Sequence, residues 1–372
     1  MPLGTAVGPG LRAGWADLTA TALEPNPFFG PDAVLAASRH LGGEGVSLLC
    51  VHDDADRLRV ALPVCPARRY AHLPVPVLRA WQHDYSFLGT PLVSAHDPVG
   101  ALGELVDFLI GERPAPWLAL DLLAADGPVV AALLQALRLR GRWPTPFAPT
   151  RRAWLARRPQ PTYLADTVRG THLKELRRLR RVLSRQLGEE IATTDVAADP
   201  AGVEEFLALE AAGWKGRAAT AFARRPGHDA FFRSVCTAAR GQGSLQLLRL
   251  GGDGPAAAMK CNLRAGPGVF CFKIAYDEEL ARCSPGVLLE LDNIDWFHRG
   301  DAEWMDSCAD PNNEMINRLW PDRLELTTLL VPLAGARGTA AARTLPTFTR
   351  VSRRLRDRWR SVADGLTGSA RR

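Results

Sequence analysis

Three strand-like runs divided by two short glycine turns set the tightest limit on what this chain can fold into. Residues 244–250, 255–263 and 268–276 are joined by Gly251-Gly252-Asp253-Gly254 and Ala265-Gly266-Pro267-Gly268. Connections that short join antiparallel neighbours, so the segment predicts a three-stranded meander. The third run leaves through the polar stretch Asp277 to Ser284 and enters an amphipathic helix at Pro285-Gly286. A helix start offers unpaired backbone N–H groups and a positive dipole end, which suits a pyrophosphate. Gly286 lets a ligand approach the backbone, and Arg282 lies within one turn of the spot. Taken alone, the same residues read equally as a proline-started helix with an ordinary cap.

Around this meander the second half reads as an ordered series. A basic helix is predicted over 171–187. Asp199-Pro200 supplies a cap and a first-turn proline for a helix over 201–213. Another follows over 228–240, with Phe231, Phe232, Val235, Cys236 and Ala239 on one side. After the meander come a helix over 286–298, a strand over 303–308, a short helix over 312–320 and closing strand over 324–331. The first half repeats a looser form of this order. It has a helix over 31–41, a hairpin from 46–51 and 58–64 about Asp53-Asp54-Ala55-Asp56, a helix over 98–111, a strand over 117–122 and a helix over 128–139. Residues 142–160, rich in proline and arginine, read as the crossing between the halves. The expected class is α/β (α+β): two tandem lobes, each a mixed, largely antiparallel sheet flanked by helices. The expected spans are 1–160, 161–334 and a basic, helical tail over 335–372. In that tail Val351, Leu355 and Trp359 stand four residues apart.

Composition removes several classes. With 47% hydrophobic and 23% charged residues, the chain is globular rather than disordered. No run approaches the roughly 18 uninterrupted apolar residues of a membrane span, and the first ten residues carry no signal-peptide pattern. A cytoplasmic location and reduced thiols are expected. None of the seven cysteines forms a Cys-x-x-Cys pair, so no metal is expected. The net charge of +6 is concentrated in 169–185 and 337–372. Only four of the 46 basic residues are lysine: Lys174, Lys215, Lys260 and Lys273. Lysine is the compact ammonium whose pKa shifts on burial, and these four draw the eye for that reason.

Residue pattern also picks out polar groups in apolar settings. Val203, Phe206, Leu207, Glu210 and Trp214 share one helical face, and a carboxylate on such a stripe is costly unless paired. Burial would favour its protonated form and so suit a general base near neutral pH. A structural ion pair with Lys215 or Lys273 accounts for it equally well. Alternation along 268–276 sets Val269, Cys271, Lys273 and Ala275 on one face, with Asp277 placed to hold Lys273. His83-Asp84-Tyr85 offers polar groups for an acceptor cleft or, as plausibly, a surface loop.

Three blocks in this order carry a family resemblance. Glu210-Ala211-Ala212-Gly213-Trp214-Lys215-Gly216, Phe272-Lys273-Ile274-Ala275-Tyr276-Asp277-Glu278 and Ser284-Pro285-Gly286-Val287-Leu288-Leu289 resemble the signature blocks of CelD-type GNAT acyltransferases, a family linked to polysaccharide biosynthesis. The likeness spans 162–331. Pro25-Asn26-Pro27-Phe28-Phe29 and Phe87-Leu88-Gly89-Thr90-Pro91-Leu92 are similar to that family's first lobe. The resemblance implies transfer of an acyl group from acyl-CoA, acetyl or longer, to a small-molecule or glycan-linked amine, less readily a hydroxyl. It implies phosphate contacts from Arg282, Cys283, Ser284, Pro285, Gly286 and Val287. It gives Glu210, Lys215, Lys273, Tyr276 and Asp277 to catalysis, with Tyr276 protonating the leaving thiolate, although a tyrosine at a strand end is more often a core residue. Asp306, on the strand over 303–308, would face the cleft, where an ion-paired or turn-capping aspartate is the commoner outcome. Trp214, His83, Asp84 and Tyr85 are read towards the acceptor. The loop departs from the usual glycine-rich pattern, because only Gly286 remains and Pro285 removes a donor. Two other readings stand open. One is a Fem-like transferase that takes its group from charged tRNA, the only case in which nucleic acid is expected. The other is a non-catalytic accessory protein of polysaccharide synthesis. Homodimerisation through the tail is left open.

Overall fold

In the computed structural model, which describes residues 1–3, 7–71, 74–165, 167–213 and 221–334, the anticipated hairpin forms about Asp53. Strands β1 (Ser47–His52) and β2 (Leu58–Ala67) pair antiparallel, and the Asp53 carboxylate accepts the Ala55 and Arg57 N–H groups in the turn. Four first-half helices open on proline: α1 (Pro9–Thr21), α2 (Pro31–His40), α3 (Pro98–Glu112) and α4 (Pro128–Leu139). The ring presets φ where the helix needs no donor. Short strands β3 (Val77–Ala80) and β4 (Leu92–Val93) and longer β5 (Trp117–Ala124) complete that half.

The stretch 142–160 is not a simple crossing. Thr145–Ala156 forms β6, a strand at the centre of the sheet. Its prolines and arginines hid it, yet Ala153 and Leu155 alternate inward as a strand requires.

The second half contains α5 (Gly170–Leu187), β7 (Ala192–Asp195), α6 (Pro200–Ala212) and α7 (His228–Gly241). The meander follows as β8 (Leu245–Gly251), β9 (Ala258–Ala265) and β10 (Gly268–Tyr276). Then come α8 (Pro285–Arg299), β11 (Trp304–Asp306), α9 (Glu314–Leu319) and β12 (Asp322–Pro332). All strands join one sheet in the order β1-β2-β3-β5-β12-β6-β11-β10-β9-β8-β7, with β4 paired to β2.

That order reads nearly the same from both ends. Apart from the short strands β4 and β7, each lobe runs helix, three strands, helix, strand, helix, strand, and each holds one parallel pair, β3 with β5 and β10 with β11. The last strands are exchanged. β12 lies beside β5 of the first lobe, β6 lies beside β11 of the second, and the two pair antiparallel at the centre.

In both lobes the parallel pairing is short. β3 meets β5 at just two positions, Leu78 with Leu118 and Arg79 with Ala119. The chain beyond His83 then runs back alongside β5, and Gly89 donates to Leu122 O at 3.3 Å. A Cβ at Gly89 would stand 2.1 Å from Asp121 O, so no other residue fits there. In the second lobe β10 meets β11 only from Gly268 to Phe270, where β11 ends, and β10 continues to Tyr276.

Buried polar pairs tie these layers together. Lys260 on β9 meets Glu290 on α8 at 2.6 Å, with side chains 5% and 0% exposed. Glu290 also accepts from Asn293 and from the Trp320 indole. At the lobe junction Arg152 on β6 pairs with Asp306 on β11 and donates to Phe87 O at 2.6 Å. Removing one partner of such a pair leaves an uncompensated charge in the core, which costs far more than the pair's net worth. All seven cysteines are free thiols.

Candidate active site

Beyond Phe270, strand β10 runs on without its parallel partner β11, towards the first turn of α8. A cavity of about 430 Å³ lies there. Ile274, Ala275 and Tyr276 of β10 form one wall, and Ser284, Pro285, Gly286 and Val287 form its floor. Leu209, Glu210 and Gly213 face them from the end of α6, while Asn313 and Met315 close the far side.

Glu210 reaches this place by helical period. Val203, Phe206, Leu207 and Glu210 are the inward residues of α6, started by Asp199, whose side chain accepts the Ala201 N–H. The carboxylate is 4% exposed and accepts the Phe222 N–H at 2.8 Å. It is therefore both a wall of the cavity and an anchor for the chain entering α7. Trp214 and Lys215, predicted to act beside it, lie outside the described residues, as does the tail 335–372.

The helix start differs from the cradle expected of it. Ser284 sits in the left-handed region (φ 51, ψ 49) and caps α8 through its carbonyl, which accepts from both Val287 and Leu288. Pro285 has no N–H, so among the described residues the Gly286 amide is the one first-turn donor left facing the cavity. The Tyr276 ring lies across it, and a Cβ at Gly286 would come within 3.3 Å of Tyr276 Cδ1. Arg282 is exposed and is not part of the cavity wall. Cys283 points the other way: it is 2% exposed, packs with Leu176 and Leu183 of α5, and donates its thiol to Gln186. Two of the six expected phosphate contacts are thereby displaced, because the 3₁₀ turn Glu278–Cys283 rotates them off the cleft.

A bulge corrects the expected face of Lys273. Pairing with β9 shifts between Cys271 and Lys273, so one residue is extra and the alternation inverts. Val269 and Cys271 therefore pack with Ile294 and Met305, whereas Ala275 joins the opposite layer beside Phe272. The Lys273 ammonium lies over Tyr85 at 4.7 Å and Phe222 at 5.2 Å from the ring centroids, at the seam between lobes and not on the cavity wall. Asp277 does not hold it, since that carboxylate accepts the Glu279 N–H and caps the 3₁₀ turn.

Asp306 also leaves the list of groups facing the cleft. It is 0% exposed, bound to Arg152, and its second oxygen accepts the Cys308 N–H at 2.9 Å. Tyr85 is buried and His83 half-buried at the lobe seam instead of lining an open groove, and Asp84 pairs on the surface with Arg225. Burial holds the His83 pKa down at about 4. The Tyr85 hydroxyl meets His228 Nδ1 at 2.5 Å, and its ring stacks on Phe231. Burial, with the Arg225 charge, lowers the His228 pKa, while burial raises that of Tyr85, so both sit uncharged in this contact.

Several cavity residues were not singled out from sequence. Glu278 projects beside Gly213, where a Cβ would stand 3.0 Å from Glu278 Oε1. Asn313 caps α9 by accepting the Ile316 N–H, and the turn Pro311-Asn312-Asn313 was the available signal for it. Arg152, away from the cavity, carries no mark in the sequence that separates it from the other arginines. Among the described residues, no group of three or more His, Cys, Asp and Glu side chains is placed to hold a metal ion, and no helix is long and apolar enough to cross a membrane.

Residues 170–314 match the family model of the acetyltransferase (GNAT) domain. No curated protein matches the chain. Among solved structures, FemX aligns with TM-score 0.58 at 11% identity, over 88% of this chain and 96% of its own. A conserved protein of unknown function from Bacteroides thetaiotaomicron aligns at 0.55 and 13%, over 89% and 99%. L-PGS from Bacillus licheniformis aligns at 0.50 and 11%, over 90% and 99%. At these identities the likeness concerns the fold, and it extends across both lobes.

Proposed function

We propose that the cavity at the end of β10 holds an activated acyl group and that the protein transfers it directly to an amine. One observation carries this reading: in the second lobe the cavity joins the Gly286 amide to Glu210 on the facing wall, while in the first lobe the chain itself runs alongside β5. The amine nitrogen attacks the carbonyl carbon, and Glu210 takes the N–H proton. As the bond from carbonyl carbon to sulfur breaks, the Tyr276 hydroxyl gives a proton to the departing thiolate and regains one from solvent. Rate enhancement comes from holding the reactants together and from these proton transfers, each worth about 10²–10⁴. The match of 170–314 to the acetyltransferase (GNAT) model supports acyl-CoA as the donor. The CelD-like blocks support an amine on a small molecule or a glycan as the acceptor.

A second reading has its own observation. The cavity wall contains no lysine or arginine among its described residues, and one amide is a poor cradle for a pyrophosphate. That favours a donor whose phosphates lie outside the cleft, as in a Fem-like transferase using aminoacyl-tRNA, where an ester oxygen leaves instead of sulfur. The likeness of fold to FemX is compatible with it. Thermal shift with acetyl-, butyryl- and palmitoyl-CoA separates the two. A ligand at 100 times its Kd adds about 2.7 kcal/mol of stability. A shift with one chain length, followed by transfer to an amine, supports the first reading. No shift with any of them, combined with transfer from charged tRNA, replaces it by the second. Transfer from neither donor removes the enzyme altogether.

A further inference from the structure

We infer that the first lobe holds a second small-molecule site, between α1 and the β1–β2 hairpin, that takes a small zwitterion with an apolar arm. That is the chemistry of a free apolar α-amino acid. A cavity of about 640 Å³ lies there, lined by Gly10, Gly14 and Asp17 of α1 and by Leu58 and Arg59 of β2. It shares no lining residue with the cleft at Gly286, so it stands or falls independently of the donor used there.

Packing does not demand glycine at either position of α1. A Cβ at Gly10 would meet nothing within 4 Å, and one at Gly14 would meet Leu58 Cβ at 3.9 Å, an ordinary contact. Glycine is the poorest helix former after proline, so α1 carries weak residues at two positions one turn apart while the space beside them stays clear. Arg59 supplies an immobilised cation to that space. Its Nη2 donates to His96 O at 2.8 Å and to Asp97 O at 2.7 Å, and its side chain is 13% exposed. The bonds it makes to described residues all leave from Nη2, so Nη1 remains for a ligand carboxylate.

The opposite charge is present in the same lining. Asp17 and Asp56 are exposed carboxylates that pair with no described cation, whereas Asp53 is engaged by Arg57 at 2.8 Å. Leu18 and Leu58 are buried beneath and offer apolar surface to an arm. Leu11 and His52 also line a second cavity of about 560 Å³ that runs on to exposed Phe108, so the arm has room to extend. A polyphosphate fits poorly, because two carboxylates face it and one of the two arginines is already paired. Among the described residues no cluster of His, Cys, Asp and Glu is placed to hold a metal ion. One cation, nearby acids and an apolar floor match a zwitterion.

The test is isothermal titration of L-leucine into the full chain, with isoamylamine, isocaproate and glycine as analogues that each lack one of the three contacts. Saturable binding of leucine is expected, and each analogue should bind about tenfold more weakly or worse. Gly14→Leu places a side chain in the cavity and should abolish binding. Gly14→Ala adds an ordinary contact, so it should still bind and should unfold in urea at or above the wild-type midpoint. Asp17→Asn, at an exposed position, should weaken leucine about tenfold and leave the urea midpoint unchanged. No heat with leucine up to about 10 mM overturns the site, as does undiminished binding in Gly14→Leu or Asp17→Asn. Isoamylamine or isocaproate binding as tightly as leucine overturns the ligand class, since one charge would then suffice.

Discussion

Glu210→Gln exchanges one carboxylate oxygen for an NH₂ at a side chain that is 4% exposed and accepts the Phe222 N–H at 2.8 Å. The amide oxygen can still accept that bond. A hydrogen bond to a charged group is worth about 1.5–3 kcal/mol and a neutral one about 0.5–1.5, so the anchor should weaken by about 1 kcal/mol. A general base is worth about 10²–10⁴ in rate, or about 3–5 kcal/mol of barrier, and the amide cannot serve as one. Glu210→Ala removes base and anchor together, adding about 1–3 kcal/mol for a buried N–H left without an acceptor. Two readouts on wild type and both variants decide the matter: turnover with whichever donor proves active, and urea unfolding. The expected result is a Gln variant slowed at least 100-fold with nearly native stability, and an Ala variant equally slow but less stable. If the Gln variant keeps kcat within about threefold of wild type while the Ala variant is destabilised, Glu210 is only an anchor and the proposed proton transfer is wrong.

Two further outcomes follow from buried charge. Lys260→Met leaves Glu290 buried without its cation and should cost about 3–5 kcal/mol in urea unfolding. Adding Glu290→Gln, which keeps an acceptor for the Trp320 indole, should recover part of that loss in a double-mutant cycle, and strictly additive effects would mean that the pair is not coupled. The His83 pKa is depressed by burial to about 4 from an ordinary 6.5, so below pH 6.5 the unfolded chain takes up a proton that the folded one refuses. Stability is therefore complete above pH 6.5 and falls as pH drops towards 4, by an order of about 3 kcal/mol. Glu24, raised by burial to about 6, acts in the opposite sense, since its contribution is lost as pH rises from 4.5 to 6. The measurement is accordingly the difference between wild type and His83→Gln across this range, and equal pH profiles would refute the assignment.

Much of the scaffold could be read residue by residue. The five inward residues predicted for 228–240 are the buried ones of α7, and the strand over 268–276 has the predicted bounds. These are local properties: helical period, turn glycines and first-turn prolines act within a few residues and leave their mark in order along the chain. Glu210 followed for the same reason, since one polar residue on an apolar stripe is visible without knowing what the stripe packs against. The cavity floor was also legible, because proline and glycine at a helix start announce themselves.

What needed the tertiary structure depends on which backbone lies beside which. The bulge after Cys271 inverts a face whose alternation looked regular, and nothing in Phe272 or Lys273 themselves announces it. The exchange of β6 and β12 between lobes is a pairing of residues more than 150 positions apart. That separation also hid the partner of Arg152, which only becomes a buried cation when β6 comes to lie against Asp306. Local sequence therefore determined the elements and the residues that each turns inward. Long-range strand pairing, whose energy lies in contacts between distant segments, decided that the ends of α6, β10 and α8 come together around a cleft.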